Sequence, residues 1–259
     1  GMRDGPIWRS TSRIWRLLGD LRRRKFDAVL DCHGFRETNL LTWWTGAPRR
    51  LGLRRFDQSF FPFCFNLPAV VEDKNIHVSE MFLRLARNFA PSSIEALSRP
   101  QLVIPQEELQ WVKENLPAQP FAVLYVDAPV RERIWPLDRF AALADHVVMK
   151  LGASVVVVNG SSPVSAGFGP GVRVLSDLPI PRLAATIAAA RMLVSNDTGP
   201  MHLGPALGIP TVAIFSVGFP IHFRPTGALD RYVRGNPIEG VDVNEVIRVA
   251  SEVWIASDR

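Results

Sequence analysis

Apolar positions along this chain come in two textures. Between residues 121 and 215 they gather into short uninterrupted runs: "FAVLYV" (121–126), "ASVVVVN" (153–159), "VRVL" (172–175), "MLVS" (192–195) and "TVAIF" (211–215). Each run reads as a strand. The text between them carries apolar residues at helical spacing over about 137–150, 180–190 and 199–207, with further helices at 106–116 and 243–256. A strand buried on both faces has no polar alternation, so β-branched runs alternating with helices predict a parallel sheet covered on both sides. Residues 101–259 are therefore expected to form a Rossmann-like α/β domain.

Upstream the pattern is less regular. Ile14, Leu17, Leu18 and Leu21 mark an amphipathic helix over 8–25. "FDAVLD" (26–31) follows as a strand, then a helix over 36–45 ended by Gly46, and "RRLGL" as a second strand. The Phe- and Pro-rich text "FDQSFFPFCFNLPAVVEDKN" (56–75) has no clean period and predicts a loop, followed by a helix at about 77–90. Residues 91–105, with "PSS", "SRP" and "IP", read as a linker. The expected division is 1–100, a partial α/β domain, and 101–259. Gly1 ahead of Met2 reads as a remnant of recombinant expression.

Composition narrows this little. At 259 residues and 47% hydrophobic, the chain can bury two modest cores. No run approaches the roughly 18 apolar residues of a membrane span, and no secretory leader opens the chain, so the cytoplasm is the expected location. Cys32 and Cys64 offer neither a disulfide framework nor a zinc cluster and are expected to be buried, reduced thiols. Charge is uneven: residues 1–60 hold 13 Lys/Arg against 6 Asp/Glu, although the whole chain is only +5. "RRRK" (22–25) closes the first helix, where cations favour the helix dipole, and no basic stripe with interleaved aromatics follows it. Nucleic acid is accordingly not the expected partner. A basic face toward anionic lipid or a phosphorylated acceptor fits better.

The candidate chemistry lies in "VSNDTGPMHLGPALGIPTVAIF" (194–215). Ligands of such sheets sit at the carboxyl ends of strands, beside helix N-termini. Asp197 or Thr198 can cap the helix, Gly199 lets a ligand approach, and Pro200 is tolerated in a first turn. The amides of Gly199 and Met201, the Thr198 hydroxyl and His202 can then converge on a phosphate. The same text also reads as a well-capped turn with His202 on the surface. No P-loop, no G-x-G-x-x-G after a strand and no G-x-S-x-G elbow is present. Two segments strengthen the anion reading: "DAPVRERIWPLDRF" (127–140) brings Arg131 and Arg133 to the same sheet edge, and "FSVGFPIHFRPTG" (215–227) adds a rim of Gly218, His222 and Arg224.

In this order and spacing, "RIWP", "DTGPMH", "ALGIP" and "HFRPTG" resemble the lipopolysaccharide heptosyltransferases, glycosyltransferase family 9. "LRRRKFDAVLDCHGFRETNLLTWWTGAPRRLGL" resembles that family's N-terminal region, so the likeness runs from about residue 15 onward. It implies a GT-B architecture and an inverting, metal-independent transferase without a cofactor. The implied substrates are an ADP-sugar, with heptose the expected sugar, and a lipopolysaccharide-core acceptor at the inner face of the inner membrane. By position, Asp197, Thr198, Gly199, Pro200, Met201, His202 and Arg133 would bind the donor diphosphate, with Arg133 in place of the family's usual lysine. Asp31, His33 and Arg36 would face the acceptor.

Two departures stand out. The family's acidic residue for the ribose is replaced by "NGSSPVS", with Ser161 or Ser162 the nearest substitutes. The family's opening strand and the Asp-bearing loop with the catalytic base have no counterpart, because Gly19-Asp20 interrupts a helical pattern with no strand before it, and Asp20 is therefore read as a decoy. The expected function is heptosyl transfer from an ADP-sugar; the alternatives are a nucleotide-sugar-binding homologue that does not transfer and, more remotely, a basic-helix RNA or membrane-surface adaptor. A missing strand would leave a sheet edge or apolar face uncovered, which predicts a homodimer or poor solubility.

Overall fold

The computed structural model describes residues 7–89, 102–160 and 167–258. The chain forms two compact units, Gly1–Leu97 and Ser98–Arg259.

The second unit opens with α4 (Gln106–Asn115) and continues β4 (Phe121–Tyr125), α5 (Leu137–Leu151), β5 (Ser154–Asn159), β6 (Val172–Ser176), α6 (Ile180–Ala188), β7 (Met192–Asn196), α7 (Gly199–Leu207), β8 (Thr211–Phe215), α8 (Pro220–Phe223), β9 (Arg231–Arg234) and α9 (Val243–Ala256). The strands lie in the order β6-β5-β4-β7-β8-β9, and each neighbouring pair is parallel. Counted within the unit this is 3-2-1-4-5-6. The order reverses between β4 and β7, so the loops leaving their carboxyl ends diverge and open a crevice there.

Strands β5, β7 and β8 are buried along their whole length, as their sequence predicts, whereas the run "VRVL" forms β6, an edge strand with Arg173 and Val174 exposed rather than covered on both faces. On one face, Leu143 and Val147 of α5 and Val246 and Val253 of α9 enclose Trp135 and Phe140, whose rings meet edge to face at 4.9 Å. Leu183 and Ile187 of α6 and Leu203 and Leu207 of α7 cover the other face. Helices α5 and α7 stop at Gly152 (φ 64°) and Gly208 (φ 77°), left-handed positions that a residue without Cβ adopts at no steric cost.

The first unit contains α1 (Ile7–Arg23), β1 (Ala28–Asp31), α2 (Arg36–Trp44), β2 (Arg49–Arg54), β3 (Val70–Val71) and α3 (Val78–Phe89). Its described sheet is parallel, β1-β2-β3, with Leu30 opposite Leu51 and Leu53 opposite Val70. The stretch expected to be a loop over 56–75 holds β3 and a short 3-10 turn, Pro62–Cys64. Most of the expected linker lies outside the described residues. Gly19 and Asp20 are inside α1, and Asp20 pairs with Arg23 one turn on.

The apolar stripe of α1 is only half covered: Ile14 and Leu17 are each 48% exposed and Trp15 is 65% exposed. An aromatic ladder continues from it, Trp15 to Trp44 at 6.3 Å, Trp44 to Trp43 at 6.5 Å and Trp43 to Phe63 at 6.4 Å. Cys64 is buried, but Cys32 is exposed, contrary to expectation. Partial desolvation and the Asp31 carboxylate beside it push the Cys32 thiol above its usual range, so exposure does not make it a reactive thiolate.

Candidate functional site

The strand order places the crevice beside the loops after β4 and β7, and both deliver polar residues. After β4 a 3-10 turn, Arg131–Arg133, leads through extended Ile134 into Trp135 and α5. After β7 the chain passes Asp197 and Thr198 and enters α7. Arg133 and Asp197 meet: Arg133 Nη1 donates to the Asp197 carbonyl at 3.3 Å and stands 3.3 Å from Asp197 Oδ2. Arg133 Nε is buried and has no hydrogen-bond partner among the described residues.

Asp197 is 4% exposed, and burial pushes its carboxyl above the ordinary range, with Arg133 and His202 pulling it back. The loop after β8 closes over it, because a Cβ at Gly218 would overlap the Asp197 carboxylate. A carboxylate repels a phosphate, so what Asp197 could offer an anion is the orientation of Arg133. It does not cap α7. Thr198 is the N-cap residue, and its side chain makes no capping bond, which leaves its hydroxyl uncommitted to the helix.

The first turn of α7 is sparser in donors than the sequence suggests. Pro200 has no N–H, and Met201 N–H closes on the Thr198 carbonyl at 3.1 Å. The Met201 side chain is fully buried against Ala213 and Phe215. What faces solvent is Gly199, whose N–H opens the helix, and the His202 side chain, which is close enough to Asp197 to influence its charge. Arg131 and Arg224 are exposed near these loops, whereas His222 is 1% exposed and packs on Phe223 at 4.6 Å, so it is not a rim residue. Ser161 and Ser162 lie outside the described residues.

In the first unit, Asp31 ends β1 and accepts from His33 N–H (3.0 Å), Gly34 N–H (3.0 Å), Thr38 Oγ1 (2.9 Å) and Asn39 Nδ2 (2.8 Å). Its carboxylate is consumed in building the loop. Gly34 fits that loop at φ +70°, where an added Cβ would meet the Leu53 carbonyl at 2.6 Å. The loop presents His33 and Arg36, both exposed. Sequence reasoning missed Glu72, 3% exposed between Arg55 (3.5 Å) and Lys74 (3.8 Å), and a cavity of about 380 Å³ nearby lined by Arg54, Arg55, Phe56, Gln58 and Phe60. A larger hollow in the second unit, about 690 Å³, lies by Phe121 and Arg191, at the amino ends of β4 and β7 and away from Arg133.

Among the described residues, no group of three or more His, Cys, Asp or Glu is placed to hold a metal, and no helix is long and apolar enough to cross a membrane.

A family model described as glycosyltransferase family 9 (heptosyltransferase) matches residues 14–246. Lipopolysaccharide heptosyltransferase 1 of Pseudomonas aeruginosa is 26% identical over 252 aligned residues, which take in 86% of this chain. The chain spans 65% of the length of that curated relative. Among solved structures, the glycosyl transferase family 9 protein from Veillonella parvula DSM 2008 superposes with a TM-score of 0.73 at 20% identity, over 92% of this chain and 78% of that one. The E. coli heptosyltransferase WaaC solved with ADP gives 0.69 at 21% identity, over 94% and 78%. At such identities the structural likeness speaks to the fold.

Proposed function

The chain belongs to glycosyltransferase family 9, with the α/β fold of the GT-B heptosyltransferases, and on that premise we propose that it transfers heptose from an ADP-sugar to a lipopolysaccharide-core acceptor. One observation supports the reading: at the switch point of a parallel sheet, where α7 begins, the buried carboxylate of Asp197 stands against Arg133 and is close enough to His202 to feel its charge. Two P. aeruginosa and E. coli relatives bear the heptosyltransferase name, and one was solved with ADP.

In the reaction, an acceptor hydroxyl oxygen attacks the anomeric carbon and the bond to the diphosphate breaks. The electron pair leaves on a phosphate oxygen, and the hydroxyl proton passes to a base. Arg133 and the N-terminus of α7 stabilise the departing diphosphate, a task that asks for no metal. His33 and Arg36 face the acceptor. Asp31 contributes by shaping their loop.

A second reading has support of its own. Among the described residues of the first unit, the buried carboxylate of Asp31 is hydrogen-bonded, that of Glu72 lies in ion pairs with Arg55 and Lys74, and Asp20 is tied to Arg23 inside a helix. A nucleotide-sugar-binding protein that does not transfer fits these facts. Titrating the 259-residue chain with ADP-heptose and assaying transfer on the same sample separates the two: binding with ADP release onto acceptor supports the enzyme, and binding without it supports the second reading. No binding would sink both.

The reading places the protein on the cytoplasmic side of the inner membrane. Trp15, Trp43 and Phe63, flanked by exposed Arg13, Arg16, Arg22 and Arg23, suit an anionic lipid surface on which aromatic rings and cations both gain. Sedimentation with phosphatidylglycerol vesicles that is lost in a Trp15→Ser/Trp43→Ser variant is the expected result. Concentration-dependent dimerisation without vesicle binding would assign the face to a second copy instead.

A further inference from the structure

Arg133 stands on a three-residue turn, too short to fix a long guanidinium by its own hydrogen bonds. Both flanks of the turn are clamped from elsewhere in the fold. On one side Ser216 Oγ, just past β8, donates to the Glu132 carbonyl. On the other, Trp135 N–H donates to Asn196 Oδ1 at 3.1 Å, and the Trp135 indole N–H donates to the Val241 carbonyl at 3.1 Å. Trp135 N–H needs that side-chain acceptor because the chain is extended at Ile134 and Pro136, where no helical carbonyl faces it.

Asn196 is the last residue of β7 and is fully buried, as is Trp135. Its Nδ2 has no hydrogen-bond partner among the described residues. A half-satisfied amide inside a sheet is a poor choice for stability, and an apolar side chain would fill the same space without an orphaned donor. What the amide supplies is the acceptor for Trp135. Asn196 also directly precedes Asp197, which contacts the guanidinium, and α7 starts three residues on. We infer that Asn196 is a positioning residue for Arg133, its side chain tying the turn that carries the cation to the strand end that delivers Asp197 and α7. The inference rests on the reading of this site as a diphosphate site.

A double-mutant cycle tests it, with ADP titrated into the full chain, Asn196→Ala, Arg133→Ala and the double variant. The expected result is that Asn196→Ala weakens ADP about tenfold when Arg133 is present and less than about twofold when it is absent. A merely structural asparagine would not give that dependence on Arg133. Equal losses in both backgrounds would overturn the inference, since Asn196 would then act on the ligand or the sheet independently; so would no loss in either. Should Asn196→Ala fail to fold, Asn196→Ser, a milder change that leaves room for a water, carries the same cycle with the same outcomes. Absence of ADP binding by the unaltered chain would sink the diphosphate reading and this inference together, whereas binding with additive losses sinks the inference alone.

Discussion

The two units spend their buried polar groups differently. In the second, Arg133 Nε, Asn196 Nδ2 and Asp197 Oδ2 are buried without hydrogen-bond partners among the described residues, at the carboxyl ends of the buried central strands of a six-stranded sheet. In the first, Arg55 Nε and Glu72 Oε2 also lack hydrogen-bond partners among the described residues but belong to one ion-pair cluster with Lys74. The buried Asp31 is fully engaged by four donors, while Trp15, Trp43 and Phe63 stay exposed. A complete sheet can carry unsatisfied polar groups at one edge because its core fixes them there. The smaller sheet uses its carboxylate to make a loop. A buried donor without a partner calls for an explanation, and at the switch point of the larger sheet a ligand would supply one, whereas the saturated Asp31 is explained by the loop it builds.

That contrast can be broken by mutation. The largest effect is expected at Asp31: Asp31→Ala strands four donors and should cost the first unit about 3–4 kcal/mol, read by chemical denaturation, while ADP affinity changes little. A stability change below about 1 kcal/mol would mean that the loop is held some other way. Arg133→Ala should do the reverse, weakening ADP by about 2–3 kcal/mol in titration with the melting temperature nearly unchanged. A protein that melts early but binds normally would reassign Arg133 to structure.

His202→Ala should weaken ADP by about 1–2 kcal/mol, the cost of a contact at an exposed position. Unchanged affinity would remove the histidine from the site. The smallest effect concerns pH. Because burial raises the Asp197 carboxyl above its unfolded value, the folded protein binds more protons between the two, and stability falls as pH rises through the raised value. Asp197→Asn should lack that fall, so denaturation curves of the two proteins across the acid range should diverge in that direction. Parallel curves would mean that Arg133 and His202 cancel the effect of burial, and divergence in the opposite direction that they outweigh it.

How legible all this was follows from range. Helix α7, strand β8 and helix α9 coincide with their sequence assignments, because Gly208, a β-branched run and Asp242 at the start of α9 are local signals. Strands β3 and β9 were not: one is two residues inside aromatic and proline text, and the other, "RYVR", buries only Val233. At the site, Arg133 and Asp197 were readable as neighbours of strand ends. The Met201 amide closing on Thr198 and the burial of His222 were not, since both depend on turn geometry that composition does not fix. The clamps on the Arg133 turn join residues 61 and 84 positions apart, beyond any spacing argument.

Whether this site holds a diphosphate is decided by titrating the chain in parallel with ADP and AMP, which share the adenosine and differ in one phosphate. ADP is expected to bind at least about tenfold more tightly, because Arg133 and the N-terminus of α7 would act on the phosphate chain. Equal affinities, or no binding of ADP at all, would contradict it.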